Sequence, residues 1–168
     1  TEHGVLYLET GKKFRELIAT GGFTAQKTKT MIEEGKLPPP FLGVHAWTHF
    51  LIEEYDGKSH ILMDGAPRVL DEVPVLLSAA TFYEWETHVM YIDVSDEWSY
   101  EKMKARGRAD DANEKKIWGR IEWFHESVVP TIEFLKKSPI VQFHHIAGEQ
   151  TIEEVHAEIC RELGLSEN

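Results

Sequence analysis

The chain has one cysteine, no long apolar run, and too few cations to balance its anions. Cys160 alone makes neither an internal disulfide nor a multi-cysteine zinc site, a pattern that fits a reducing compartment. No stretch approaches the ~18 apolar residues of a membrane helix, and the first residues lack the basic-then-apolar order of a secretory leader, so a cytoplasmic protein is expected. With 18 Lys and Arg against 29 Asp and Glu, the net charge is -11. That balance disfavours nucleic acid and anionic membranes as partners, because both reward a basic surface. Small phosphorylated ligands need only a local cluster of cations, and Arg106, Arg108 and Arg120 crowd into one short stretch.

What is present is an ordinary globular composition. The 168 residues are 42% hydrophobic and 28% charged, enough to bury one core, and no repeat, low-complexity tract or linker divides them. A single domain over residues 1–168 is expected. Apolar runs of strand length lie at Val5 to Leu8, Ile61 to Met63, Val89 to Val94 and Ile140 to Ile146. Helical spacing or composition lies at Lys12 to Ala19, Ala25 to Glu34, Pro40 to Tyr55, Val73 to Tyr83, Glu97 to Ala105, Glu114 to Lys137 and Thr151 to Leu163. Strands that alternate with helices predict an α/β fold with a largely parallel sheet, because parallel neighbours need long crossovers.

Three features fall just beyond predicted strands, where an α/β sheet binds its ligands. They are Glu9-Thr10-Gly11, Asp64-Gly65-Ala66-Pro67-Arg68, and the arginine cluster after the third strand and its helix. Each alone reads more readily as loop punctuation with a solvated charge than as a site.

In this order the motifs resemble the adenylate kinase family of nucleoside monophosphate kinases, from about Gly4 to the last helix. Thr10-Gly11 with Arg15 looks like the family's Thr-Gly turn and phosphate-binding arginine, and Glu34-Gly35-Lys36-Leu37 like the end of its monophosphate-binding helix pair. Asp64 to Arg68 looks like its Asp-Gly-Phe-Pro-Arg segment, Arg106 to Asp111 with Arg120 like its lid, and Ala147-Gly148-Glu149 like its last strand-to-helix turn. The resemblance implies a P-loop NTPase-like three-layer α/β sandwich, with monophosphate-binding helices at about 12–55 and a short lid at about 106–119. It further implies a monomer that moves the γ-phosphoryl group of ATP, with Mg2+, to a nucleoside monophosphate, AMP first among them.

The residue roles follow from the same likeness. Thr10, Gly11, Arg15, Lys36, Gly65 and Arg68 would hold the acceptor monophosphate. Arg106, Arg108 and Arg120 would act on the transferring group, Lys102 would stand where the family often has another arginine, and Asp110 and Asp111 would orient the lid arginines. Asp64, expected at the end of a buried apolar strand, would hold the water shell of Mg2+. Such roles suit phosphoryl transfer, in which the protein mainly positions groups and neutralises charge.

Two departures stand out. Glu72 occupies the position of a family glutamine that reads the acceptor base, and a carboxylate lacks the donor half of an amide, so a shift towards GMP is one expectation. Ala66 also replaces the family's phenylalanine. The second departure is that no Gly-x-x-x-x-Gly-Lys phosphate loop occurs in the 168 residues, and neither does the central strand that precedes it in the family. Two explanations stand: a kinase truncated at its N-terminus, whose present form is inactive alone, or a degenerate relative that binds nucleotides without turnover.

Other constellations rank lower. His45 and His49 share a predicted helix face without the His-Glu-x-x-His pattern, and His144 and His145 should point to opposite faces of a strand. Trp118 and Trp123 are expected in the core, and Cys160 is expected to be structural.

Overall fold

The computed structural model describes residues 5–34, 36, 38–107 and 113–165. The chain divides into two compact units, Thr1–Tyr83 and Glu84–Asn168. In the first, β1 (Val5–Glu9) leads directly into α1 (Thr10–Ala19), followed by α2 (Phe23–Glu33) and α3 (Pro40–Glu53). β2 (His60–Asp64), a 3-10 turn (Leu70–Glu72) and α4 (Val73–Phe82) complete it. β1 and β2 are parallel, with Leu8 opposite Met63 and Glu9 opposite Asp64. Pro40 in the first turn of α3 has no N–H to leave unsatisfied there, which is why a helix begins at a run of prolines. Trp47, Phe50 and Leu51 of α3, Leu8 of β1 and Val73, Leu76 and Ala80 of α4 are buried and form the core of this unit.

The second unit runs β3 (Thr87–Asp93), α5 (Asp96–Arg106), α6 (Glu114–Trp123), α7 (Val129–Lys136), β4 (Val141–Ala147) and α8 (Ile152–Glu162). β3 and β4 are parallel, with Asp93 opposite Ala147. Side chains set the helix starts. Ser95 accepts from the Trp98 N–H at 3.2 Å, Asn113 from the Lys116 N–H at 3.0 Å, and Thr151 and Glu154 form a reciprocal capping box for α8. α5 ends on Gly107 in the left-handed region, φ 62°.

The α/β class with parallel strands is present, and all four predicted strands and seven helical segments are found. Among the described residues each strand has a single partner, in two two-stranded sheets. Three expectations need correction. The helix predicted over Glu114 to Lys137 is interrupted by a π-helical turn, Phe124–Val128, next to Pro130, whose missing N–H breaks the regular ladder. β2 is not a buried strand, since Leu62 is 55% exposed and lies opposite Tyr7, itself 52% exposed. Trp118 is likewise 46% exposed rather than part of the core, because it packs flat on Tyr100 of α5.

Candidate functional site

The register of β1 and β2 brings two of the three sequence features together. Thr10, the buried first residue of α1, directs its hydroxyl to the carbonyl oxygens of Asp64 and Gly65, 3.1 and 3.0 Å away. Gly65 has φ 83°, and a Cβ there would lie 2.5 Å from Thr10 Oγ1 and 2.7 Å from Arg68 Nη2. The Arg68 guanidinium therefore lies over the bare glycine backbone. A Cβ on Gly11 would lie 3.3 Å from both Arg15 Nη1 and Glu9 Oε1, so Arg15 folds back over its own turn. Its Nη2 donates to Glu9 Oε1 at 2.8 Å. Two guanidinium groups, a hydroxyl and two glycines thus gather at the carboxyl end of one strand pair, a constellation suited to a phosphate.

Glu72 sits behind this cluster. It is buried, 7% exposed, and its Oε2 accepts the Arg68 backbone N–H at 2.8 Å. Its Oε1 packs against Gly43 of α3 so closely that a Cβ there would overrun it. Burial pushes the Glu72 carboxyl above the usual range, while the Arg68 N–H and guanidinium pull it back down. Asp64, at the end of β2, is exposed and accepts the Tyr7 hydroxyl at 2.8 Å, which raises the tyrosine above its ordinary value. Lys36 is not gathered with these groups. Its ammonium donates to Glu34 at 2.7 Å on the surface, and Gly35 and Leu37 beside it lie outside the described residues.

In the second unit, the carboxyl ends of β3 and β4 build another concavity, of about 350 Å3. Gly148 donates its N–H to the Asp93 carbonyl at 2.8 Å and approaches so near that a Cβ would lie 2.5 Å from Val94 Cγ1. Glu149 Oε1 accepts the Ser95 N–H at 2.7 Å. His145 Nε2 lies 2.9 Å from Asp93 Oδ2, and the Tyr91 hydroxyl donates to Asp93 Oδ1 at 2.8 Å. These bonds hold the Asp93 carboxyl below its usual value, while burial and then Asp93 push Tyr91 up to about 12. Sequence reasoning singled out Gly148 and Glu149 and set His145 only beside His144; it missed Asp93 and the contact of Asp93 with His145, because only the pairing of β3 with β4 makes them neighbours.

The residues expected in the lid fall, as far as they are described, on α5 and α6. Arg106 ends α5 and Arg120 stands in the last turn of α6. The Tyr100 and Trp118 rings stack at 5.2 Å and tie the two helices together. Lys102 lies 4.9 Å over the Trp98 ring, so a cation–π contact holds its ammonium. Arg108, Asp110 and Asp111 lie outside the described residues. Among the described residues no group of three or more His, Cys, Asp or Glu is placed to hold a metal ion, and no helix is long and apolar enough to cross a membrane.

No family model matches the chain. Individual relatives do. An adenylate kinase of Corynebacterium aurimucosum is 30% identical over 162 residues, covering 96% of this chain and 86% of the relative. Adenylate kinase 1 of Synechocystis is 29% identical over 90% of this chain and 80% of its own length, and an adenylate kinase of Prochlorococcus marinus is 28% identical over 96% and 86%. The likeness covers almost all of the chain, and the chain belongs to the adenylate kinase family.

Proposed function

We propose that the chain serves reversible transfer of the γ-phosphoryl group of ATP to a nucleoside monophosphate, AMP first, as one cytoplasmic kinase domain. The observation that carries this reading is the cluster of Thr10, Gly65 and Arg68 at the carboxyl end of β1–β2, with Arg15 beside it. In it a phosphate would meet Arg68 and Arg15 without a Cβ in the way. The Arg15–Glu9 pair is largely solvent-exposed, so exchanging the carboxylate for a phosphate costs less than about 1 kcal/mol. Arg106 and Arg120 would neutralise charge on the transferring group, as arginines do in phosphoryl transfer. The exposed Asp64 carboxylate is a hard-oxygen donor that fits Mg2+ through its water shell, and the ion supplies charge neutralisation on the phosphates when bound.

A coupled assay with ATP and Mg2+ against AMP, GMP, CMP and UMP tests the reading. It should be run on this chain alone and on this chain fused behind the strand, Gly-x-x-x-x-Gly-Lys loop and helix that open the family. Turnover of AMP by the fusion is expected. Nucleotide binding by both forms without turnover in either favours the second reading, a binding protein that keeps the monophosphate cluster around Thr10, Arg15 and Arg68.

Glu72 gives a sharper test within the same site. Its bond to the Arg68 N–H supports a role in bracing the arginine turn rather than in reading the base. Glu72→Gln keeps an acceptor for that N–H and removes a buried charge. A carboxyl raised in the folded state favours folding at low pH and loses that contribution as pH rises through its folded value. The variant is therefore expected to be more stable than the parent at pH 7, with the gap closing as the pH falls through the raised folded value and gone below 4.5, the carboxyl's ordinary value, in urea melts. Its AMP-to-GMP preference should hold. A shift of about tenfold or more would assign base reading to Glu72 instead.

A further inference from the structure

α3 divides its side chains between two faces. Trp47, Phe50 and Leu51 are buried and Gly43 receives the Glu72 carboxylate, so one side of the helix is committed to the core of the first unit. The other side carries Phe41, His45, His49 and Ile52, all exposed. His45 and His49 stand one turn apart, with ring centroids 5.8 Å from each other and planes inclined by 26°. Among the described residues, neither ring takes part in a hydrogen bond or an ion pair. Imidazoles of the second unit are already engaged. His125 lies 2.9 Å from Asp96 and His145 2.9 Å from Asp93. His88 and His144 face each other with nitrogens 3.1 Å apart, and their outer nitrogens point to Glu86 and Glu162.

Two imidazoles at this spacing offer two nitrogen donors to one ion. Bonds of about 2.0–2.1 Å from zinc to each nitrogen set the donors about 3 Å apart. The χ2 torsion of histidine is broad and these rings are held by no polar contact, so rotation brings one nitrogen of each onto a shared ion. Imidazole suits later first-row divalent ions such as Zn2+, whereas the hard Mg2+ takes oxygen. The exposed Glu53 carboxylate, one further turn along, and the negative C-terminal end of α3 both favour a cation there. We propose that His45 and His49 form a two-nitrogen surface site for a zinc-like divalent ion, distinct from the Asp64 carboxylate that suits Mg2+. Among the described residues no group of three His, Cys, Asp or Glu is placed on a metal, so water fills the other positions and the ion exchanges, unlike that of a closed structural zinc centre. Ala46, Trp47 and Thr48 separate the two ligands, so the site has no glutamate general base between its histidines and is a binding site alone.

Calorimetric titration of the chain with zinc chloride, in excess Mg2+ to occupy oxygen sites, tests the proposal. The tightest Zn2+ is expected to lose about tenfold or more in affinity in His45→Gln, and as much in His49→Gln, because removing a ligand should cost no less than removing a ligand's supporting partner. Zn2+ should also raise the urea midpoint of the parent more than that of either variant, since the one-turn spacing exists only in the folded helix. Both side chains are exposed, so both variants are expected to fold as the parent does. Loss in one variant alone means a single imidazole and overturns the shared site. Unchanged affinity in both places the ion on other histidines, and a parent that binds no Zn2+ has no such site; each result refutes the proposal. Should a variant fail to fold, nitrogen-15 spectra of the parent decide. Zn2+ is expected to shift the ring nitrogens of His45 and His49 together, and shifts confined to other histidines overturn the assignment.

Discussion

Arg68→Ala is expected to weaken AMP binding to this chain by roughly one to two orders of magnitude in calorimetric titrations. The size follows from the loss of a charge-assisted bond to phosphate, about 1.5–3 kcal/mol, at about 1.4 kcal/mol per factor of ten. The fold should survive. The backbone N–H of residue 68 donates to Glu72 whatever the side chain, and the guanidinium lies over glycine backbone rather than in the core. Adenosine, which has no phosphate, supplies the internal control, since its affinity should hardly change. Equal losses for AMP and adenosine would mean that Arg68 supports the turn and not the phosphate, and an unchanged AMP affinity would remove it from the site. Arg15→Ala is the graded companion. Its guanidinium already has Glu9 as an anion, so the net gain from phosphate, and the loss on substitution, should be smaller.

Periodicity located the elements, and the motif order picked out the residues that gather at the carboxyl end of β1–β2, because both are local in sequence. Thr10, Gly65 and Arg68 were legible for that reason: each sits next to the strand that carries it, and parallel pairing sets the two strand ends side by side. What pairing alone creates was not legible. His144 and His145 were weighed as neighbours along the chain, where a strand sends them to opposite faces. The partners that matter are across the sheet, His88 on one face and Asp93 on the other. Glu72 was read as a group for the base, and nothing in the sequence signalled that Gly43, on another helix, makes room for its carboxylate. The π-helical turn before Pro130 was missed for a different reason, since the apolar pattern runs through it unbroken while the hydrogen-bond ladder does not.

Gly65→Ala joins the site to the stability of the fold. Two independent penalties apply at this residue. Its φ of 83° is a conformation that alanine adopts only with strain, and the new methyl would stand 2.5 Å from Thr10 Oγ1 and 2.7 Å from Arg68 Nη2. Arg68 is a long side chain that can swing aside, whereas Thr10 is buried and held by two carbonyl oxygens at the end of β2. The strain and the Thr10 contact therefore set the cost, about 2–3 kcal/mol in denaturant melts, and the displaced guanidinium sets the loss of AMP affinity. Thr10→Ser is the control for the hydroxyl. That variant keeps the hydroxyl on the Asp64 and Gly65 carbonyls, removes one methyl, and should retain AMP binding. If Gly65→Ala binds AMP as tightly as the parent while losing stability, the glycine serves only the turn. If it loses both, the bare backbone at residue 65 is what lets Arg68 and the acceptor phosphate occupy the same strand end.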